Sequence, residues 1–162
     1  MIRSILAELA LAGSALWSMN RARTIDGGGF LLFALAALAG ALVHGGFHWA
    51  QMPHDWLSRG ANWVALILIV IGRVQGRVLS PVICFCLLAV ALATGGNTQL
   101  LNLAALLLLV AGLWVQSKRP PTLVVIGALL FILAGLVIGT RDQLHTDAFH
   151  LTLAVAVALI AR

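Results

Sequence analysis

The chain has 162 residues, of which 62% are hydrophobic and only 9% are charged, and its formal net charge at pH 7 is +5. This composition, with a mean hydropathy of +1.06, excludes a soluble domain of the same length. The basic residues occur singly or in pairs at the ends of apolar segments and form no patch, which argues against a nucleic-acid partner. The composition predicts an all-α, polytopic membrane protein with a single transmembrane helical domain over residues 1–162.

Seven apolar segments follow one another along the chain and predict a bundle of seven transmembrane helices with short loops. A bilayer core of about 30 Å takes about 20 helical residues, and each segment approaches that length. Turn residues such as Pro81 and Gly95-Gly96 separate the segments, although Glu8 interrupts the first one. The predicted spans cover residues 2–19, 28–50, 58–77, 80–95, 98–116, 121–140 and 143–161.

The distribution of Lys and Arg predicts the orientation of these spans. Short cytoplasmic loops of membrane proteins are enriched in both residues. The connections after spans 1, 3 and 5 and the C-terminus carry seven of them, namely Arg21, Arg23, Arg73, Arg77, Lys118, Arg119 and Arg162. The opposite face carries only Arg3, Arg59 and Arg141. We therefore expect an outside N-terminus and a cytoplasmic C-terminus, in the inner membrane if the source is a bacterium.

All five histidines lie near span ends on the extracytoplasmic face of this arrangement. His44 and His48 are spaced i, i+4, so on one helix they would share a face and could offer two imidazole nitrogens to one metal ion. Asp147 and His150 are spaced i, i+3 and would share a face of span 7. His54 follows Pro53 in a segment that predicts a loop, so we expect it to lie outside the site.

Together these two pairs predict an open zinc site. Three protein ligands and one water molecule are typical of catalytic zinc, which generates a hydroxide nucleophile near neutral pH. A histidine at a helix end can also bond simply to water, lipid headgroups or a backbone carbonyl, so each histidine has a purely structural alternative.

The last span resembles a motif of a known family. The segment from His145 to Leu151, His-Thr-Asp-Ala-Phe-His-Leu, resembles the final-helix histidine motif of the CREST superfamily. These are seven-span membrane proteins that include alkaline ceramidases, progestin/adipoQ receptors and hemolysin III-like proteins. In that family a histidine late in helix 2 precedes an aspartate near the start of helix 3, and His44 or His48 followed by Asp55 is similar.

The chain also departs from the family pattern. Thr146 stands where the family has the first of two histidines in helix 7, so Asp147, His145 or His48 would have to supply that ligand. If His44 is the matching histidine of helix 2, Gly40 takes the place of the family's serine, and if His48 is the matching residue, His44 takes that place. Asn62 is an alternative to Asp55 as the polar residue of helix 3.

The resemblance implies a zinc-dependent intramembrane hydrolase of a lipid amide or ester. Membrane lipid would then be both the environment and the candidate substrate. In that hypothesis His44, His48 and His150 bind Zn²⁺, Asp147 is a fourth ligand or orients one, and Asp55 is the catalytic general base that deprotonates the water.

Two other functions remain open on the sequence alone. One is a non-enzymatic membrane sensor or assembly subunit with a degenerate metal site, whose spans pack through glycines such as Gly127 and Gly135. The other is a b-type haem protein with His44 or His48 and His150 as axial ligands. Bound metal and an absorption spectrum separate the three hypotheses.

Overall fold

A computed structural model of the chain describes residues 2–76, 78–117, 121–138 and 142–162. These residues form helices and turns, without a strand among them. The orientation argument also used Arg77, Lys118, Arg119 and Arg141, which lie outside the described residues. The helices are α1 (Ile2–Met19), α2 (Thr24–His44), α3 (His48–Arg73), α4 (Leu79–Ala93), α5 (Thr98–Ser117), α6 (Thr122–Ile138) and α7 (Gln143–Ile160).

Five of these helices, α1, α2, α3, α5 and α7, are long and apolar enough to cross a membrane. The other two, α4 and α6, are also apolar but shorter, at about 23 and 26 Å for a rise of 1.5 Å per residue. A typical hydrocarbon core is about 30 Å thick. The prediction of an all-helical protein with several membrane-spanning helices is therefore confirmed, and the number of five candidate spans falls short of the predicted seven.

Six of the helices form a closed ring. In the order α1, α2, α3, α5, α6 and α7, each helix packs on the next, and α7 returns to α1. Helix α4 packs on α5 and α3 from outside this ring. The ring is filled mainly by small and aliphatic side chains, including Ala12, Ala34, Ala65, Leu109 and Val157. Small residues let helix backbones approach closely, which is how membrane helices gain packing energy.

Polar contacts join α1 to α7 along the length of both helices. The side-chain amide of Gln143 donates to the hydroxyl of Ser4 near the start of the two helices. Near their ends, the Ser18 hydroxyl donates to the Val157 carbonyl at 3.4 Å. The residue numbers of the paired positions increase together along the two helices, so α1 and α7 run in the same direction.

Helix α2 ends earlier than predicted, at His44 instead of residue 50. The backbone N–H of Phe47 donates to the Leu42 carbonyl, and that of Gly46 donates to the Val43 carbonyl. This is a Schellman motif, which requires the left-handed conformation that Gly46 adopts at φ 90°. His48 begins the next helix, so the predicted i, i+4 pair of His44 and His48 on one helix face is wrong.

Helix α3 begins ten residues before the predicted start at residue 58. A short 3₁₀ turn, His48–Ala50, leads directly into the α-helical segment Gln51–Gly60. Pro53 lies in the first turn of that segment, where a missing backbone N–H costs nothing because it would have no helical partner. Proline therefore marks a helix start here, and His54 and Asp55 are helical residues instead of loop residues.

Candidate functional site

One end of the helix ring encloses a cavity of about 500 Å³, to which all six ring helices contribute side chains. This volume lies within the range of small-molecule pockets. Phe33, Phe131, Phe149 and Leu153 form much of its apolar wall. Its polar lining consists of Glu8 from α1, His54, Ser58 and Asn62 from α3, Thr98, Gln99 and Asn102 from α5, and His150 from α7.

The centre of this cavity is a pair of polar side chains, Glu8 and His150. The His150 Nδ1 lies 3.4 Å from the Glu8 Oε1, and the Glu8 residue is only 1% exposed. That oxygen has no hydrogen-bond partner among the described residues. A buried polar group in the membrane interior is costly unless it has a polar partner, so the two side chains depend on each other.

Gly40 on α2 provides the space that the Glu8 carboxylate occupies. A methyl group at Gly40 would overlap the Glu8 carboxylate, and it would lie 3.1 Å from the His54 Cε1. The absence of a side chain at Gly40 therefore leaves room for a carboxylate from α1.

His54 points into the ring, contrary to the prediction that it lies outside the site. Its Nδ1 lies 3.1 Å from the Ala36 carbonyl of α2, and the Ser58 hydroxyl is 3.4 Å from the same nitrogen. The prediction was wrong because it placed His54 in a loop, whereas the helical start of α3 turns the imidazole towards α2.

Asp147 and His44 complete a group of titratable side chains at this end of the ring. Asp147 is 8% exposed, and its Oδ1 has no hydrogen-bond partner in the described part of the chain. His44, His54 and Asp147 are close enough to His150 to interact with it electrostatically. Four helices thus bring three histidines and two carboxylates together, including the predicted residues His44, Asp147 and His150.

The other two predicted site residues, His48 and Asp55, lie elsewhere. Both are exposed and line a shallow surface cleft of about 430 Å³ together with Trp49, Trp56 and Arg59. The Asp55 Oδ1 accepts a hydrogen bond of 3.0 Å from the Gln51 side chain. Neither residue lines the cavity around Glu8 and His150, so Asp55 is not in position to act as a base there.

The predicted zinc ligands do not fit a metal ion in this arrangement. Among residues 2–76, 78–117, 121–138 and 142–162, no three His, Cys, Asp or Glu side chains form a group that could hold one. His48 is separated from His44 by the end of α2, and the Nδ1 of His150 is directed at Glu8. One buried carboxylate oxygen of Glu8 and one of Asp147 have no hydrogen-bond partner among the described residues. Side chains that can bind a metal are therefore present, but they are not arranged around one point.

An apolar groove between α5 and α6 lies beside the cavity. It encloses about 150 Å³ and is lined by leucine and isoleucine side chains, including Leu103, Leu106 and Ile132. Gln99, Asn102, Phe131 and Gly135 line both the groove and the polar cavity. A polar chamber and a hydrocarbon groove therefore share one wall.

Asp142, outside the membrane-spanning segment, begins α7 as its N-cap. Its carboxylate accepts a hydrogen bond of 2.9 Å from the His145 backbone N–H, and the His145 Nδ1 lies 2.8 Å from the same oxygen. These contacts, the backbone bond first, hold the pKa of Asp142 below its usual range. The cap therefore stabilises α7 at pH values above the ordinary carboxyl pKa. This stabilisation is lost as the pH falls through the lowered pKa of Asp142.

We expect Asp142→Ala to speed amide hydrogen exchange in the first turn of α7, because the side-chain cap is lost. Asp142→Asn is the matched control, since asparagine caps helices about as well. When the exchange rates of wild type and Asp142→Ala are compared at the same pH, they should differ near pH 6 and become equal in acid. An equal gap at every pH would contradict a carboxylate cap.

Comparisons of the chain with protein-family models, with curated proteins and with solved structures found no match. The resemblance to the CREST superfamily therefore depends on the predicted seven-span layout and two short motifs, and it stays a prediction.

Proposed function

We propose that this protein is a seven-span integral membrane hydrolase that cleaves an amide or ester bond of a membrane lipid. The observation that supports this most is that the polar cavity at Glu8 and His150 lies next to the apolar groove between α5 and α6, with four lining residues in common. A lipid fits such a shape, with its polar linkage in the cavity and a hydrocarbon chain in the groove.

The seven-span arrangement is part of the proposal. The parallel direction of α1 and α7 requires an odd number of crossings, and α4 and α6 complete seven if the bilayer thins around them. The excess of basic residues at the other end of the helices favours an extracytoplasmic position for the cavity.

The proposed mechanism uses the histidine–carboxylate pair to activate water. Glu8 orients the His150 ring through Nδ1, which leaves Nε2 to accept a proton from water as its oxygen attacks the carbonyl carbon. Amide groups such as those of Asn62 and Asn102 donate hydrogen bonds to the oxyanion that forms. The His150 imidazolium, stabilised by Glu8, then returns the proton to the leaving nitrogen or oxygen as the bond breaks.

The zinc-dependent form of this activity, which the family resemblance implies, is tested by the same assay. Because the described residues form no three-donor group, water activation is assigned to His150 and Glu8. We expect hydrolysis to survive removal of metal by a chelator. Loss of activity in the chelator and its recovery with Zn²⁺, with about one zinc per chain, would contradict the metal-free mechanism.

The decisive experiment is hydrolysis of a panel of lipid amides and esters by purified protein in liposomes. His150→Ala should reduce turnover by about 100-fold or more, the usual effect of losing a general base. His48→Ala and Asp55→Ala are matched controls from the separate surface cleft and should retain activity. Equal losses in all three variants would contradict the assignment to His150.

A non-enzymatic lipid sensor is the second candidate, because the same cavity and groove would suit a protein that binds lipid without cleaving it. Retention of lipid in native mass spectrometry without turnover on any substrate would favour this function. The haem hypothesis stays a prediction, and an absorption spectrum of the purified protein tests it.

A further inference from the structure

A second polar cavity, of about 460 Å³, lies at the opposite end of the helix ring. It is lined by residues that follow α1 and α7, begin α2 and end α3, with Gln116 contributed by α5. Arg21 lies about 20 Å further along α1 than Glu8 at a rise of 1.5 Å per residue, so the two cavities are distinct. Neither the Glu8–His150 pair nor the proposed hydrolysis uses this second site.

Four arginines converge on this cavity, namely Arg21, Arg23, Arg73 and Arg162. The Arg21 guanidinium lies over the Trp17 ring at 4.1 Å from its centroid, and the Arg162 guanidinium lies 5.0 Å from the same centroid. Arg73 Nη1 donates to the Ala161 carbonyl at 3.1 Å. Stacking and hydrogen bonding therefore hold Arg21, Arg73 and Arg162 in place despite their like charges.

The positive charges of the cavity are poorly balanced. Within the described part of the chain, no carboxylate forms a salt bridge with any of the four arginines. Asp26 is the one acidic side chain among the lining residues, and it lies near enough to Arg73 to interact electrostatically. The lining side chains therefore carry four positive charges and one negative charge, an arrangement that attracts an additional anion.

Asp26 provides an independent indication of a ligand. It is 2% exposed, and its Oδ1 has no hydrogen-bond partner among the described residues. Gly72 packs directly against the Asp26 backbone and Cβ, which fixes the carboxylate at the cavity wall. A buried acceptor without a donor is costly, so a hydroxyl or amino group from a ligand would complete it.

We propose that this cavity binds a phosphate ester that carries a hydroxyl or amino group close to the phosphate. Guanidinium groups bind phosphate oxygens through paired hydrogen bonds, which explains the arginines, and the neighbouring donor of the ligand pairs with Asp26. The general enrichment of basic residues on the cytoplasmic face of membrane proteins could explain the arginines alone. It does not explain why they surround a cavity or why a buried carboxylate there has no partner. The ligand is either the headgroup of a phospholipid such as a phosphoglycerol lipid or a soluble phosphate ester.

The test is binding to purified protein in phosphatidylcholine nanodiscs, with glycerol phosphate, inorganic phosphate or added phosphatidylglycerol as the probe. Arg162→Gln, at an exposed position, and the Arg21→Gln/Arg162→Gln pair should weaken binding about tenfold or more. Arg3→Gln, which removes one exposed charge at the other end of α1, is the matched control. Arg21→Lys keeps the charge without the guanidinium fork and should bind with intermediate affinity.

The Asp26→Asn variant separates the two halves of the proposal. It should weaken binding of glycerol phosphate and phosphatidylglycerol, whereas inorganic phosphate should bind at least as well as to wild type. Saturation by glycerol phosphate identifies a soluble ligand, and binding of phosphatidylglycerol alone identifies a lipid headgroup. Equal binding by Arg162→Gln and Arg3→Gln, or no binding of any probe, would overturn the proposal. Melting temperatures without ligand verify that each variant is folded.

Discussion

Replacing Glu8 with alanine should lower the free energy of unfolding by about 3 kcal/mol, because it leaves His150 without its partner inside the helix ring. Neutral hydrogen bonds between membrane helices average only about 0.6 kcal/mol, so a loss of this size would indicate a buried ion pair. Denaturation of the purified protein in mixed micelles, followed by circular dichroism, measures the change.

Three further variants test the origin of that loss. Asp55→Ala removes an exposed carboxylate and should change stability little. Glu8→Gln keeps the shape and a hydrogen-bonding group, so it should lose less than Glu8→Ala. The Glu8→Leu/His150→Leu pair should recover part of the loss, since an apolar pair needs no compensation. If Glu8→Ala and Asp55→Ala change the free energy of unfolding equally, Glu8 and His150 are not energetically coupled.

Gly29→Ala should also destabilise the protein by about 3 kcal/mol, near the upper end of the cost of overpacking. A methyl group at Gly29 on α2 would overlap the Ala65 carbonyl oxygen of α3 and lie 2.7 Å from the Ile69 Cγ1. A backbone carbonyl cannot rotate away as a side chain can. Relief therefore requires α2 and α3 to separate, which weakens one whole contact of the helix ring.

Gly28→Ala is the control for this prediction. It adds the same methyl group one residue earlier, where the nearest atom is the Leu68 Cδ1 at 3.6 Å, an ordinary contact. Because alanine also favours the helix more than glycine, this variant should be neutral or slightly stabilising. Similar losses in both variants would show that helix propensity, and not the contact between α2 and α3, determines the outcome.

The sequence predicted the helical architecture well because apolar length is the dominant signal of a membrane helix. It failed where a local motif decided the outcome. Gly46 ends α2 two residues beyond His44, and Pro53 begins a helix that the pattern treated as a loop. Both errors fall within residues 44–54, where α2 ends and α3 begins, and this segment contains three of the five histidines.

Those boundary errors explain the differences at the candidate site. His48 was grouped with the site because span 2 was predicted to be too long, and His54 was excluded because it was placed in a loop. Asp55 was included on the family resemblance alone. Glu8 was visible as an interruption of the first span, and a carboxylate there is expensive enough to indicate a role. Its partner could not be identified, because pairing with His150 depends on which helices are neighbours in the ring.

The contact between the first and last helices has a consequence for biosynthesis. Glu8 enters the membrane before His150 has been made, because 142 residues separate the two along the chain. At ordinary elongation rates the interval is on the order of ten seconds. During that time the Glu8 carboxyl has no imidazole beside it, so insertion of α1 must rely on the translocation machinery, or on water that reaches it, until α7 arrives.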